Sequence, residues 1–228
     1  MTYTTLPDLD HTLLDSDASE LAAYNSTLRG CGVGAPGVHF DTYQQINGAL
    51  WAAVERGEIL PDDLRTQRFE LFAAQIGLDA DPETMADAFV HGLGNNGDLY
   101  PGARAVLEKL AATKTLALIT NGLSKVQRTR IERLGIGHYF DAIVISAEVG
   151  FTKPGAEIFD IAFDCLGHPA KDTVLMVGDS LSSDIRGGSN YRIATCWYNP
   201  NGKTAGPDDR VTHVIKSLAY LPILVECG

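Results

Sequence analysis

The 228-residue chain predicts an α/β fold, a doubly wound parallel sheet with an all-helical domain inserted after the first strand. Three observations carry that expectation. Across the C-terminal two-thirds, short apolar runs of strand length alternate with amphipathic segments, the pattern of strand–helix crossovers. From about residue 17 to about residue 94 there is no convincing strand, only four helical stretches. The composition, 45% hydrophobic and 21% charged, is that of a globular protein, and a chain of this size buries roughly 70% of its unfolded surface without disulfides or structural metal.

In chain order, residues 2–6 read as a first strand, weakened at its end by Pro7, which lacks a backbone donor. The first inserted helix carries Leu21, Tyr24 and Leu28. A second carries Phe40, Tyr43, Asn47, Leu50, Trp51 and Val54 and stops at Gly57. The third runs from Pro61 to Gly77 with Leu64, Arg68, Phe72 and Ile76 in line, and the fourth holds Met85, Phe89 and Leu93. Ala103, Val106, Leu107, Leu110 and Ala111 then form one buried stripe. Residues 115–120, 142–146, 173–178 and 193–198 are the remaining strands. Ser124–Leu134 is a helix closed by Gly135, and Pro154 opens another whose buried side is Ile158, Ile161, Ala162 and Cys165. Residues 199–210 form a polar surface loop. The expected division is a catalytic core of residues 1–15 and 96–228 around a helical insertion of residues 16–95.

Lys and Arg number 18 against 29 Asp and Glu, a net charge of −11. So acidic a protein is a poor partner for a nucleic-acid polymer, whose affinity rests on neutralising phosphates. No run approaches 18 apolar residues, which excludes a spanning helix, and the first ten residues lack the features of a signal peptide. Cys31, Cys165, Cys196 and Cys227 form no Cys-x-x-Cys pair. A cytoplasmic location with reduced, mostly buried thiols is expected. Oligomeric state leaves no trace in the sequence.

Ligands of parallel α/β sheets bind outside the carboxyl ends of the strands. After the first strand comes Asp8-Leu9-Asp10-His11-Thr12, and after the second Thr120-Asn121-Gly122. Lys153-Pro154 lies in the loop leaving the third, and Gly178-Asp179-Ser180 follows the fourth, with Asp184 five residues beyond Asp179. Asp8, Asp10, Asp179 and Asp184 against one Lys153 make a cluster that resists standing alone. Two like charges at about 4 Å cost roughly 4 kcal/mol at an effective dielectric of 20. Hard carboxylate ligands of this kind select Mg²⁺, which would also screen a carboxylate attacking a phosphate dianion. One Asp would attack phosphorus, the other would donate to the leaving oxygen and later activate water, and Thr120 with a backbone N–H would hold the remaining oxygens.

This pattern, Asp-x-Asp-x-Thr, then Thr/Ser, then Lys, then Gly-Asp-x(4)-Asp, resembles the haloacid dehalogenase-like hydrolase superfamily, and the four motifs frame nearly the whole chain. The resemblance implies a Rossmann-like core with a helical cap domain. It implies Asp8 as nucleophile and Asp10 as general acid/base. It further implies Asp8, the Asp10 carbonyl and Asp179 as Mg²⁺ ligands, Asp184 as support for the metal, and Thr120, Asn121 and Lys153 around the phosphate. Within the superfamily the chain is similar to the pyrimidine 5′-nucleotidases, on Tyr43, Asn47, Trp51, Arg68-Phe69 and the runs 119–122, 145–150 and 194–197. A small phosphorylated metabolite, with a nucleoside 5′-monophosphate first among them, is the implied substrate. A sugar phosphate, phosphomutase chemistry and dehalogenation of a 2-haloacid are the alternatives on this scaffold. Asp10 and Asp179 speak against dehalogenation, which needs neither that acid nor a metal. A receiver-like phosphoacceptor would share the acids, the hydroxyl and the lysine, but lacks the second acid and the insertion.

Two residues depart from the family pattern, Pro7 in place of an apolar strand residue and His11 in place of Gly or an acid. Tyr43, Asn47 and Trp51 share one helix face. They serve either as core or as a platform for a base, with Asn47 and Trp51 the candidate substrate contacts. Arg68 is expected at the surface or in a salt bridge, His11 in a solvent-facing loop, and Asp184 as a helix cap as well as a support for the metal.

Overall fold

A computed structural model of the chain describes residues 4–207 and 209–227. The elements follow in the order β1 (Thr4–Pro7), α1 (Ser16–Gly30), α2 (Phe40–Glu55), α3 (Asp63–Ile76), α4 (Pro82–Asn95), α5 (Ala103–Ala111), β2 (Thr115–Thr120) and α6 (Ser124–Leu134). Then come β3 (Ala142–Ile145), α7 (Ser146–Val149), α8 (Ala156–Cys165), β4 (Val174–Gly178), α9 (Arg186–Tyr191), β5 (Ala194–Tyr198), β6 (His213–Ile215) and α10 (Leu221–Cys227). Positions 2 and 3 of the expected first strand lie outside the described residues.

The six strands pair in parallel in the order β3-β2-β1-β4-β5-β6. Such a sheet is covered on both faces, so its strands are apolar at successive positions rather than at alternate ones. In β2, Leu116 and Leu118 enter a core layer with Leu107, Leu110, Ile131 and Leu221 from the helices on that side. Ala117 and Ile119 enter the opposite layer with Ile158, Phe159, Ala162 and Tyr191. The strand order reverses between β1 and β4, which is where a doubly wound sheet opens a crevice for ligand. Asp8 and Asp179 leave the carboxyl ends of those two adjacent strands.

Pro7 does not displace the end of β1. It pairs with Val177, and the next residue, Asp8, donates its N–H to the Val177 carbonyl at 2.9 Å. Alternate backbone groups point to opposite neighbours, so the N–H that Pro7 lacks falls on the β2 side, where the register ends at Thr5↔Leu116. His11, at φ 56°, occupies the left-handed region, which explains why glycine suits this position and why a residue with a polar ring is tolerated there.

Helices α1 to α4 build a separate core from Tyr24, Tyr43, Phe69, Phe72, Met85 and Phe89. Tyr24 and Tyr43 lie with ring centroids 4.9 Å apart, and the Phe69 and Phe89 rings meet edge to face at 5.3 Å. Helix α1 starts where Asp15 accepts from the Ala18 N–H, and α4 where Asp81 accepts from the Thr84 N–H. Helix α3 stops at left-handed Gly77. Helices α1 and α4 pack closely because Gly92 has no side chain: a Cβ there would lie 2.8 Å from the Ala23 Cα. Two chain segments join this unit to the sheet and run side by side, with the Asp15 N–H on the Asp98 carbonyl at 2.9 Å and the Tyr100 N–H on the Leu13 carbonyl at 2.8 Å. Val90 of α4 also packs on Leu123 and Val126.

Some details differ from the sequence expectation. Residue 146 begins the short α7 instead of ending a strand, and α8 starts at Ala156, after the Lys153-Pro154 turn. Strand β6 was not anticipated, because three residues at a sheet edge, with Val214 exposed, carry no periodic signal. Of the three thiols described, Cys196 is buried, Cys31 half-buried and Cys165 exposed, so burial is not the rule for them; all three are free. Among the described residues no helix is long and apolar enough to cross a membrane.

Candidate active site

Four loops at the carboxyl edge of the sheet bring Asp8, Asp10, Asn121, Lys153, Asp179 and Asp184 around one spot. At its base lies the Lys153 ammonium, 1% exposed. Its Nζ is 2.8 Å from Asp8 Oδ1 and 2.7 Å from Asp184 Oδ1, and it donates to the Ile119 carbonyl at 2.8 Å. An ammonium with its stem inside the protein is retained only when its charge is matched, and here two carboxylates match it. Burial works against the charged lysine, yet Asp184 and Asp8 hold it protonated well above the ordinary lysine range.

Asp184 is spent on this arrangement. One oxygen takes Lys153 and the other takes the Ser180 N–H at 3.0 Å. It does not cap a helix; Ser180 caps the turn Leu181–Ile185 through the Ser183 N–H. Gly178 makes room for it, since a Cβ at 178 would fall 2.1 Å from Asp184 Oδ2. Asp179 takes the Thr12 hydroxyl at 3.3 Å, and Trp197 Nε1 fixes its carbonyl at 2.8 Å.

Asp8, Asp179 and Asp184 each offer an oxygen within 4.8 Å of the others. The pair Asp8–Lys153 is a contact of charges without an aligned hydrogen bond, which leaves buried Asp8 Oδ1 without a hydrogen-bond donor. Burial pushes the Asp8 carboxyl up to about 7 against the pull of Lys153, with Asp184 adding to the rise. Burial, then Asp8, pushes Asp179 up to about 6. Hard oxygens, an unsatisfied buried acceptor and carboxylates that resist ionising together fit a divalent cation such as Mg²⁺. Asp8 and Asp179 have oxygens to give it, whereas both Asp184 oxygens are already engaged by Lys153 and the Ser180 N–H.

A pH dependence follows. Both native carboxyls lie above the ordinary value of 3.8, so between that value and about 7 the native state binds more protons than the unfolded chain. Stability of the metal-free protein should therefore fall as pH rises through that window. Mg²⁺ competes with these protons. It should raise the melting temperature more at about pH 8 than at about pH 5. An equal rise at both pH values, in melts run with Mg²⁺ against EDTA, would contradict the assignment.

The Asp10 carboxylate turns away from this cluster towards α6. Oδ1 accepts from Ser16 Oγ at 2.5 Å and Arg130 Nη1 at 2.6 Å, and Oδ2 from Gln127 Nε2 at 2.5 Å. Burial alone would raise this carboxyl; Arg130, then Ser16, override it and hold Asp10 below the usual carboxylate range. Thr120 is fully buried and its hydroxyl accepts from Gln127 Nε2 at 3.0 Å. The Asn121 side chain is spent on the neighbouring loop, donating to the Lys153 carbonyl and accepting its N–H, both at 2.9 Å. What these loops turn to the cleft around Asn121 and Gly122 is therefore chiefly backbone.

A cleft of about 240 Å³ lies above the spot and is closed on its far side by Glu20, Asn47, Trp51, Glu55 and Arg68. Asn47 and Trp51 thus reach the cleft, while Tyr43, on the same face of α2, is buried in the aromatic core. Arg68 is not at the surface and makes no salt bridge among the described residues: it is 2% exposed, donates from Nη1 to Asn47 Oδ1 at 3.1 Å and stands 5.1 Å over the Phe89 ring. Its place on α3 between Leu64 and Phe72 in the buried stripe was the available signal. Sequence reasoning missed Ser16, Glu20, Gln127 and Arg130. Gln127 and Arg130 stand three apart on one face of α6, a spacing that marks a shared face but not what that face meets.

A sheet of this order, with an acid-rich switch point and a helical insertion facing it, defines a Rossmann-like hydrolase architecture. Residues 6–198 match the family model for haloacid dehalogenase-like hydrolases, and the chain belongs to that family. It is 38% identical over 186 residues, 82% of each chain, to the pyrimidine 5′-nucleotidase YjjG of Escherichia coli. It is 34% identical to the pyrimidine 5′-nucleotidase PynA of Streptococcus pneumoniae, over 85% of this chain and 82% of that one. Its structure resembles that of the HAD-hydrolase YfnB of Bacillus subtilis bound to magnesium, with a TM-score of 0.90, 30% identity and 98% of each chain covered.

Proposed function

We propose that the protein is a Mg²⁺-dependent phosphomonoester hydrolase that works through an aspartyl-phosphate on Asp8, with a pyrimidine nucleoside 5′-monophosphate as substrate. The observation that carries the reading is the meeting of Asp8, Asp179 and Asp184 oxygens within 4.8 Å over a buried lysine. The names of the nucleotidases similar to it over four-fifths of the chain support the choice of substrate. Residues 16–95 serve as a cap over the site, and residues 1–15 and 96–228 as the catalytic core.

Mg²⁺, when bound by Asp8, Asp179 and the Asp10 carbonyl, supplies charge neutralisation between the nucleophile and the phosphoryl oxygens. Lys153 holds Asp8 in place and adds a second positive charge on that side. Asp8 attacks phosphorus, and backbone N–H groups of the Thr120-Asn121-Gly122 turn hold the equatorial oxygens. Asp10 protonates the departing ester oxygen and then, as carboxylate, takes the proton of the water that hydrolyses the phosphoaspartate. The Arg130 contact holds Asp10 ionised, which suits the second step. For the first step Asp10 must exchange Arg130 for the leaving oxygen and carry a proton.

The experiment is a panel of nucleotide and sugar phosphates assayed with Mg²⁺ and with EDTA. Pyrimidine monophosphates should lead the panel, and EDTA should remove turnover. A flat profile would retire the nucleotidase reading and leave the hydrolase one, whereas full activity in EDTA would remove the metal.

A further inference from the structure

The inserted helices carry, inside the cleft, a carboxylate and a guanidinium joined by one amide. Glu20 Oε1 accepts from Tyr43 Oη at 2.9 Å and from Asn47 Nδ2 at 2.7 Å. Asn47 Oδ1 in turn accepts from Arg68 Nη1 at 3.1 Å, and Arg68 Nε donates to the Leu64 carbonyl at 3.3 Å. Asn47 is therefore held by one neighbour at each end, which fixes its orientation, and the two charged residues also keep polar atoms free. Both donors to Glu20 converge on Oε1, and among the described residues neither Glu20 Oε2 nor Arg68 Nη2 makes a hydrogen bond.

Arg68 is buried and Glu20 half-buried, yet Arg68 makes no ion pair among the described residues. The Asn47 amide bridges them instead, and both residues line the cleft with one acceptor and one donor uncommitted. Burial raises the Glu20 carboxyl above its ordinary range.

We infer that Glu20 and Arg68 are the residues that read the base of a nucleotide substrate, Glu20 Oε2 accepting a ring or exocyclic N–H and Arg68 Nη2 donating to the acceptor beside it. Pyrimidines present such a donor next to an acceptor on the edge away from the sugar. Asn47 is a positioning residue for both readers, and Trp51, one turn further along α2 and lining the same cleft, gives the ring an apolar wall. The inference rests on the nucleotidase reading above and goes beyond it by naming the groups that recognise the base.

The test compares kcat/KM for uridine 5′-monophosphate, its N3-methyl analogue and p-nitrophenyl phosphate, which has no such edge. Methylation removes the N–H that Glu20 would accept and should lower kcat/KM of the wild-type enzyme about 10- to 100-fold, mostly through KM. Glu20→Gln should lower the ratio of uridine 5′-monophosphate to p-nitrophenyl phosphate about tenfold or more. The methylated substrate needs no variant, so it decides the matter even if Glu20→Gln folds poorly. Equal use of both nucleotides by the wild type, or a Glu20→Gln enzyme that loses nucleotide and p-nitrophenyl phosphate in proportion, would overturn the inference while the nucleotidase reading stands. A wild-type enzyme with no preference for nucleotides at all would remove both.

Discussion

Asp8→Asn is expected to lower phosphate release by at least about 10⁴-fold while the protein stays folded. An amide of the same shape fits the space but cannot attack phosphorus. The fold tolerates the change because Asp8 contributes little to stability as an anion. Burial pushes its carboxyl up to about 7, so the neutral form already suits the site without metal. Lys153 keeps its second carboxylate, Asp184, at 2.7 Å, and the Asp8 N–H bond to Val177 is untouched by the side chain. Melting temperature in EDTA should be equal to or above that of the wild type. The comparison of single-turnover phosphate release with a thermal melt separates lost chemistry from lost structure. Residual turnover above about 1% of the wild-type rate would end the covalent mechanism.

Lys153→Met should produce the largest loss of stability of any single replacement at the site. The side chains are similar in length, so packing is kept and the charge alone is removed. Asp184, fully buried, would then face only the Ser180 N–H, and Asp8 would lose its cation. Removing one partner of a buried pair costs about 3–5 kcal/mol. For a protein of this size that corresponds to a drop in melting temperature of roughly 6–20 °C. Turnover should fall about 10²- to 10³-fold as well, since one charge facing the phosphoryl group is gone. The double variant Lys153→Met/Asp184→Asn should recover part of the stability but not the activity, because the uncompensated carboxylate is gone while the lysine is still missing. Additive stability losses in that pair would show that the lysine acts through something other than its carboxylates.

The strands β2, β4 and β5 were legible because strands buried on both faces must be apolar at successive positions. The helix stops at Gly77 and Gly135 were legible for a local reason, the left-handed conformation that glycine adopts without cost. The places of Asp8 and Asp179 followed from a rule of topology, that parallel strands deliver their next residues to one edge. Glu20, Gln127 and Arg130 had no such rule, and Arg68 had only its place in the buried stripe of α3. On a helix, a polar residue facing solvent and one facing another element have the same sequence signature. Only when α1, α3 and α6 take their places does Arg68 find Asn47, and Arg130 find Asp10 across 120 positions.

The chain's own order of residues thus determined the family, five of the six strands and the four loops that carry the acids, since each depends on local periodicity or on strand ends. The direction in which those acids point was decided by the tertiary structure: Asp8 and Asp179 face each other, while Asp10 turns towards α6 and Asp184 closes on Lys153. The physical reason is that a carboxylate's direction and ionisation depend on which distant donors and charges burial brings within about 3 Å of it, and those neighbours exist only once the chain has closed on itself.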